Sequence, residues 1–193
     1  MSRRDEALEL LAIGKLDPGV LRFLAAGLAE TLGVPCGISP VPLDPQFAFH
    51  AGRQQVHSSE LLAGMQGRVT GSSWRVLGVT SADLYIPILT FVFGEAQMGG
   101  PCAVVSTHRL SQEFYGLAAD PELLVERLLK EGVHELGHTL DLTHCDDYSC
   151  AMAPSHAVEW IDLKQTQFCA QCQARAFPTR GAGGWRIDPP RPY

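Results

Sequence analysis

One short motif has residue types that suit metal-dependent hydrolysis. Residues 134–138 read HELGH, so His134 and His138 lie one turn apart in a helix and can bind the same metal ion. Without a further ligand, two solvated histidines would explain this pattern equally well. His144 follows ten residues after His134, and a catalytic zinc site has three protein ligands and a fourth position for water. The three histidines therefore predict a zinc site, provided that the helix ends near Asp141 and the chain turns back.

Glu135 has the position of a general base rather than that of a ligand. It projects about 100° from His134 around a helix, and its longer side chain can reach a water bound to the metal. Zinc lowers the pKa of such a water to about 7. Glu135 would accept the proton and return it to the leaving amine after attack on a peptide carbonyl.

Four cysteines predict a second, structural zinc site. Their short-long-short spacing suits a closed thiolate tetrahedron that joins two chain segments. Two disulfides are the alternative, which a reducing compartment disfavours. A zinc ribbon that binds nucleic acid is also disfavoured, because Lys164 is the only lysine or arginine between the cysteines, against four acidic residues. The four are Cys145, Cys150, Cys169 and Cys172.

The run from His134 to Cys172, 39 residues long, resembles the archaemetzincins, which are metzincin peptidases with an additional four-cysteine zinc site. The segments FVFGEA at residues 91–96 and STHRL at residues 106–110 are also similar to that family. The resemblance implies two zinc ions per chain, one catalytic and one structural. It also implies that Met152 is the Met-turn methionine, a hydrophobic floor beneath the catalytic zinc. On packing grounds alone, an ordinary core methionine fits Met152 equally well.

Two features depart from the family pattern without removing a ligand. Asp141 stands where most metzincins have glycine at the turn that ends the helix. Aspartate tolerates a left-handed backbone, so we expect the turn to form at a modest cost. The segment between Met152 and Cys169 is one residue shorter than the usual family spacing, which a loop can absorb.

The position two after Met152, where some metzincins have a metal-linked tyrosine, is Pro154, so no oxyanion-stabilising residue is assigned.

The elements around the motif alternate between strands and helices. Asp120 and Pro121 are the N-cap and first residue of the longest helix, which we expect to end near Leu142. This order favours an α/β fold. The resemblance implies a metzincin-like fold: a twisted, mostly parallel five-stranded sheet with packed helices, a long active-site helix and a small zinc-clamped C-terminal subdomain. Strands are predicted at residues 8–14, 34–41, 74–80, 91–93 and 103–105, and shorter helices at residues 18–32, 58–66 and 159–168.

Composition excludes several other classes of protein. The 193 residues are 46% hydrophobic and 19% charged, and the net charge is -6. A protein with this charge lacks the basic surface that binds nucleic acid or anionic lipid. The longest apolar stretch, around residues 84–94, is too short to span a membrane. The N-terminal segment lacks a secretory pattern, so we expect a cytoplasmic protein, and a monomer.

We predict one catalytic domain over residues 1–178, with subdomains of about residues 1–144 and 145–178, and a poorly packed tail at residues 179–193.

These patterns predict a zinc-dependent metallopeptidase acting on peptides or proteins. The alternative is a noncatalytic or weakly active zinc protein that binds peptides or a protein partner in the same cleft, and the presence of Glu135 favours the enzyme. We expect an extended substrate to add to an exposed edge strand. That strand is predicted at Phe91, Val92, Phe93 and Gly94, next to a mobile glycine-rich rim.

Overall fold

The computed structural model describes residues 7–69 and 73–177, so the predicted tail at residues 179–193 lies outside the described part of the chain. The α-helices separate groups of one, three and four strands, and two short helices follow the long helix. The strands are β1 (Ala7–Ile13), β2 (Cys36–Ile38), β3 (Phe49–His50), β4 (Gln55–His57), β5 (Ser73–Thr80), β6 (Leu84–Tyr85), β7 (Gly94–Ala96) and β8 (Cys102–Ser106). The helices are α1 (Pro18–Leu32), α2 (Ser58–Met65), α3 (Pro121–Thr139), α4 (Val158–Leu163) and α5 (Ala170–Ala176).

Five strands form a mostly parallel sheet in the order β2-β1-β5-β8-β7. The first four run parallel, and β7 pairs antiparallel with β8 at one edge. The predicted fold class is confirmed. A second sheet, of the three short strands β3-β4-β6, was not predicted.

Helices cover both faces of the larger sheet. Leu77 and Val79 of β5 contribute to the core cluster with α1 and α3, whereas Val76 contributes to the cluster with α2, as strand alternation requires. Helix α3 lies close to the sheet at Gly132, where an added Cβ would be 3.3 Å from Leu77 Cδ2. This packing fixes the orientation of the helix that carries the HELGH motif.

Helix α3 begins and ends by identifiable contacts. The Asp120 carboxylate accepts a hydrogen bond from Leu123 N at 3.0 Å, and Pro121 occupies the first turn. The helix ends at Thr139, three residues before the predicted end, because Asp141 adopts a left-handed conformation with φ 63°. The expected turn at Asp141 is therefore present.

The strand at the sheet edge beside α3 differs from the predicted one. The strand predicted at residues 91–93 is wrong, because the edge strand is β7 (Gly94–Ala96). The backbone changes partner before β7 begins: Val92 N donates to Leu84 O at 2.9 Å, whereas Phe93 O accepts from Ser106 N at 2.8 Å. No continuous ladder can run through residues that change partner in this way.

The C-terminal part also differs in detail from the prediction. The helix predicted at residues 159–168 is shorter, spanning Val158–Leu163 as α4, and α5 was not predicted. Buried side chains form a separate small cluster here, around Leu142, Cys150, Met152 and Cys172.

Candidate active site and metal centres

The end of α3 and the turn after it bring three histidines together. His134 and His138 lie on one face of the helix, with their Nε2 atoms 3.1 Å apart. The left-handed Asp141 returns the chain so that His144 faces them, and one ring nitrogen from each histidine lies within 4.8 Å of the other two. The structure thus brings together the three predicted metal ligands.

Backbone carbonyls orient two of these imidazoles. His134 Nδ1 lies 2.8 Å from Ala151 O, and His138 Nδ1 lies 2.7 Å from Leu142 O. A carbonyl oxygen only accepts, so Nδ1 carries the proton and the Nε2 lone pair is left for a metal. Burial lowers the pKa of His134 well below its usual value and also lowers the pKa of His138, which favours the neutral ligand form. The donor set fits a zinc ion.

Glu135 lies beside this set in a dry environment. Burial raises its pKa well above the usual range, the Glu131 carboxylate raises it further, and the Lys164 ammonium lowers it. Its side chain occupies the space that Gly94 leaves at the edge strand, since a Cβ on Gly94 would lie 2.7 Å from Glu135 Oε1. Gly94 is the first residue of β7, and a glycine in a strand often marks such a close approach.

A groove of about 500 Å³ runs along β7 and over the histidines. One wall is the chain leading into β7, the floor is α3, and the opposite wall is the segment after Met152. All four residues of the predicted substrate strand line the groove, although only Gly94 belongs to β7. The lining includes Phe91, Val92, Phe93, Gly94, Glu95, Ala96, Met98, Glu131, His134, Glu135, His138, His144, Pro154, Ser155 and His156.

The four predicted cysteines form a second cluster, with all sulfur atoms within 4.8 Å of one another. Cys145 Sγ and Cys169 Sγ lie 3.8 Å apart. A disulfide bond is about 2.05 Å long, whereas a tetrahedron with Zn–S bonds of about 2.3 Å has edges of about 3.8 Å. The backbone N–H of Cys169 also donates to Cys150 Sγ at 3.2 Å, as expected around thiolate ligands. The arrangement fits a metal better than the disulfide alternative.

Met152 lies directly under α3. Its side chain is fully buried, and its Sδ is so close to Gly137 that a Cβ there would clash with it. Met152 O accepts a hydrogen bond from Cys145 N at 3.0 Å, next to His144. The residue therefore packs between the HELGH helix and the turn that carries His144 and the first cysteine.

One segment, residues 150–153, connects the histidine cluster with the cysteine cluster. Ala151 O orients His134, Met152 N donates to Cys150 Sγ at 3.4 Å, and Ala153 O accepts from Lys164 Nζ at 2.9 Å. These contacts were not predicted, because the amino-acid sequence does not indicate which backbone groups a side chain will contact. Sequence reasoning also missed the buried ion pair between Lys164 Nζ and Glu131 Oε1, 2.8 Å apart.

The protein is similar to several known proteins. The model of peptidase family M54 matches residues 55–176. This chain belongs to peptidase family M54. It is 38% identical to an archaemetzincin from Methanocaldococcus jannaschii over 160 residues, covering 83% of this chain and 87% of that protein. The predicted resemblance and the predicted enzyme class, a zinc metallopeptidase, are confirmed.

Solved structures of relatives agree with the fold. The crystal structure of an archaemetzincin from Methanopyrus kandleri superposes with a TM-score of 0.74 at 37% identity, over 90% of this chain and 94% of that one. The crystal structure of a zinc-dependent peptidase from Methanocorpusculum labreanum gives a TM-score of 0.80 at 29% identity, over 88% and 99%. Among residues 7–69 and 73–177, none of the helices is long and apolar enough to cross a membrane.

Proposed function

We propose that His134, His138 and His144 hold a catalytic zinc and that the four cysteines hold a structural one. Convergence of three imidazole nitrogens within 4.8 Å, beside a buried glutamate, carries this proposal. A site with three protein ligands and an open face matches the catalytic type, and a closed set of four thiolates matches the structural type.

In this proposal Glu135 is the general base. A zinc ion at the three histidines would polarise the scissile carbonyl and lower the pKa of water to about 7. Glu135 accepts the proton of the attacking water on a carboxylate oxygen and delivers it to the leaving amine nitrogen. Burial raises the pKa of the Glu135 carboxyl, so its carboxylate is a stronger base than that of an exposed glutamate, which favours the first of these transfers.

Removal of the histidine-held zinc should abolish hydrolysis reversibly. His144 is solvent-exposed and the site is open, so a mild chelator should extract this ion before the one at the cysteines. We expect peptide hydrolysis to fall to background, the fold to stay intact, and activity to return with added zinc. Zinc content, thermal unfolding and hydrolysis rate are measured on the same sample. Hydrolysis that persists after the histidine site is emptied would refute the proposal.

We further propose that the substrate binds as an extra strand beside β7. Phe93 O and Gln97 N bond to β8, and alternate residues of an antiparallel strand face the same neighbour. Gly94 and Ala96 therefore direct their backbone N–H and C=O groups away from β8, along the groove. An extended peptide there would pass its carbonyl groups over the histidines.

A crystal structure with a peptide-like zinc-binding inhibitor should show this pairing. We expect hydrogen bonds of about 2.7–3.2 Å from the inhibitor backbone to Gly94 and Ala96. N-methylation of the inhibitor amide that faces β7 should weaken binding by up to about tenfold, the value of one hydrogen bond. Methylation of the next amide is the control and should have little effect. An inhibitor held at the metal but lying away from β7 would disprove strand addition.

The remaining expectations stay part of this proposal. The substrate is a peptide or protein, and we propose a cytoplasmic monomer without affinity for nucleic acid or membranes. The net charge of -6 and the acidic surroundings of the cysteine cluster support the last point.

A further inference from the structure

A buried ion pair lies against the groove, outside the residues assigned to the chemistry. The side chains of Lys164 and Glu131 are only 1% and 4% exposed, with Nζ 2.8 Å from Oε1. A buried ion pair adds little net stability compared with apolar residues of the same size. Stabilising the fold therefore does not explain this pair, and its role depends on which groups the two charged side chains face.

Glu131 faces the same way as the proposed active-site residues. It lies three residues before His134 and four before Glu135, which places all three on one side of α3. Glu131 also lines the groove together with His134, His138 and His144. The spacing Glu-x-x-His on a helix is one that metalloproteins use to bind a single metal ion through both side chains.

Glu131 is nevertheless held by other partners. Its Oε1 accepts from Lys164 Nζ at 2.8 Å and lies 3.4 Å from Ser155 Oγ. Lys164 is itself fixed by a second bond, to Ala153 O at 2.9 Å, in the segment that follows Met152. The group of potential ligand atoms within 4.8 Å of one another contains the three histidines and not the Glu131 carboxylate.

We infer that Lys164 is a positioning residue that keeps the Glu131 carboxylate from becoming a fourth protein ligand at the histidine site. This inference rests on the proposed zinc site. A fourth protein ligand would bind beside the three histidines and the water, so the ion would become five-coordinate and lose the position at which a substrate carbonyl binds. Lys164 therefore preserves the open site by giving Glu131 a competing charged partner.

Cobalt substitution at the histidine site tests the inference in Lys164→Met. The visible spectrum of Co²⁺ reports coordination number, which a purely structural role would leave unchanged. We expect a four-coordinate spectrum in the wild type and a five-coordinate one in Lys164→Met. Hydrolysis by the zinc form should fall on the order of ten- to a hundredfold, the usual effect of losing an outer-sphere partner. Loss of zinc to a chelator should become slower.

The double variant Glu131→Gln/Lys164→Met separates the mechanisms. It removes the competing carboxylate and leaves no unpaired buried charge, so it should fold even where Lys164→Met does not. We expect a return to the four-coordinate spectrum and to within about threefold of wild-type hydrolysis. Glu131→Gln alone should retain the four-coordinate spectrum and most activity. A double variant as inactive as Lys164→Met, with an unchanged cobalt spectrum in both, would overturn the inference.

Lys130→Met is the matched control. Lys130 is another buried lysine between α3 and α4, but it contacts Asp162 O at 3.2 Å and Glu126 Oε1 at 2.6 Å instead of the groove. Its replacement should lower stability without changing the cobalt spectrum. A five-coordinate spectrum in Lys130→Met would show that general loosening of α3 produces the effect, and would also overturn the inference. A wild type that binds no metal at the histidines would refute the proposed function itself, a separate result.

Discussion

Replacing Glu135 with alanine should lower peptide hydrolysis by about a hundredfold or more while leaving the zinc content unchanged. General acid–base catalysis contributes on the order of 10²–10⁴-fold, and Glu135 lies beside the three histidines without belonging to the ligand set. The measurement is kcat/KM for a peptide that the wild type cleaves. Hydrolysis by the variant at the wild-type rate, after removal of contaminating proteases, would exclude Glu135 as the base.

Glu122→Ala is the control for this substitution. Glu122 lies in the first turn of the same helix, and its side chain is exposed. Its loss removes only a favourable interaction with the helix dipole, about 0.3–1 kcal/mol of stability. We expect unchanged hydrolysis.

Cys169→Ser should damage both proposed metal centres. Zinc binding at a structural site contributes directly to folding, so we expect the free energy of unfolding to fall by about 4 kcal/mol or more. For a chain of this size, that corresponds to a Tm lower by roughly 8–16 °C. The proposed catalytic zinc should also bind more weakly, because Ala151 O contacts His134 and the adjacent Met152 N contacts Cys150 Sγ.

Metal analysis and thermal unfolding measure these effects. Cys36→Ser is the control, because Cys36 lies outside the four-cysteine cluster. We expect the control to keep two zinc ions and to lose less stability. A Cys169→Ser variant with unchanged Tm and both zinc ions would show that the cysteine cluster does not clamp this part of the fold.

The candidate metal ligands could be predicted because helix geometry is regular and the ligands are close in sequence. Residues four positions apart in any helix share a face, as His134 and His138 do. The requirement for a third ligand predicted a turn near Asp141, and in the structure Asp141 makes that turn with φ 63°. The cysteine spacing similarly predicted a cluster that α5 and the preceding turn bring together.

Other features depend on contacts between distant segments. The strand predicted at residues 91–93 failed because those residues change hydrogen-bonding partner, from Leu84 to β8, which side-chain alternation does not reveal. The three-stranded sheet consists of strands two or three residues long, too short for a periodic pattern. Lys164 was noted only as a lone basic residue, since its partner Glu131 lies 33 positions away.

Digestion of a peptide library by wild type and Glu135→Ala, at equal zinc content, tests whether the protein is a zinc peptidase with Glu135 as its base. Mass spectrometry identifies the products, and metal analysis of the same samples gives the number of zinc ions per chain. We expect two zinc ions in both proteins, defined cleavage products with the wild type, and at least about a hundredfold less product with the variant. Equal products from both proteins would exclude Glu135 as the base, and no products from a wild type that holds both zinc ions would exclude a peptidase.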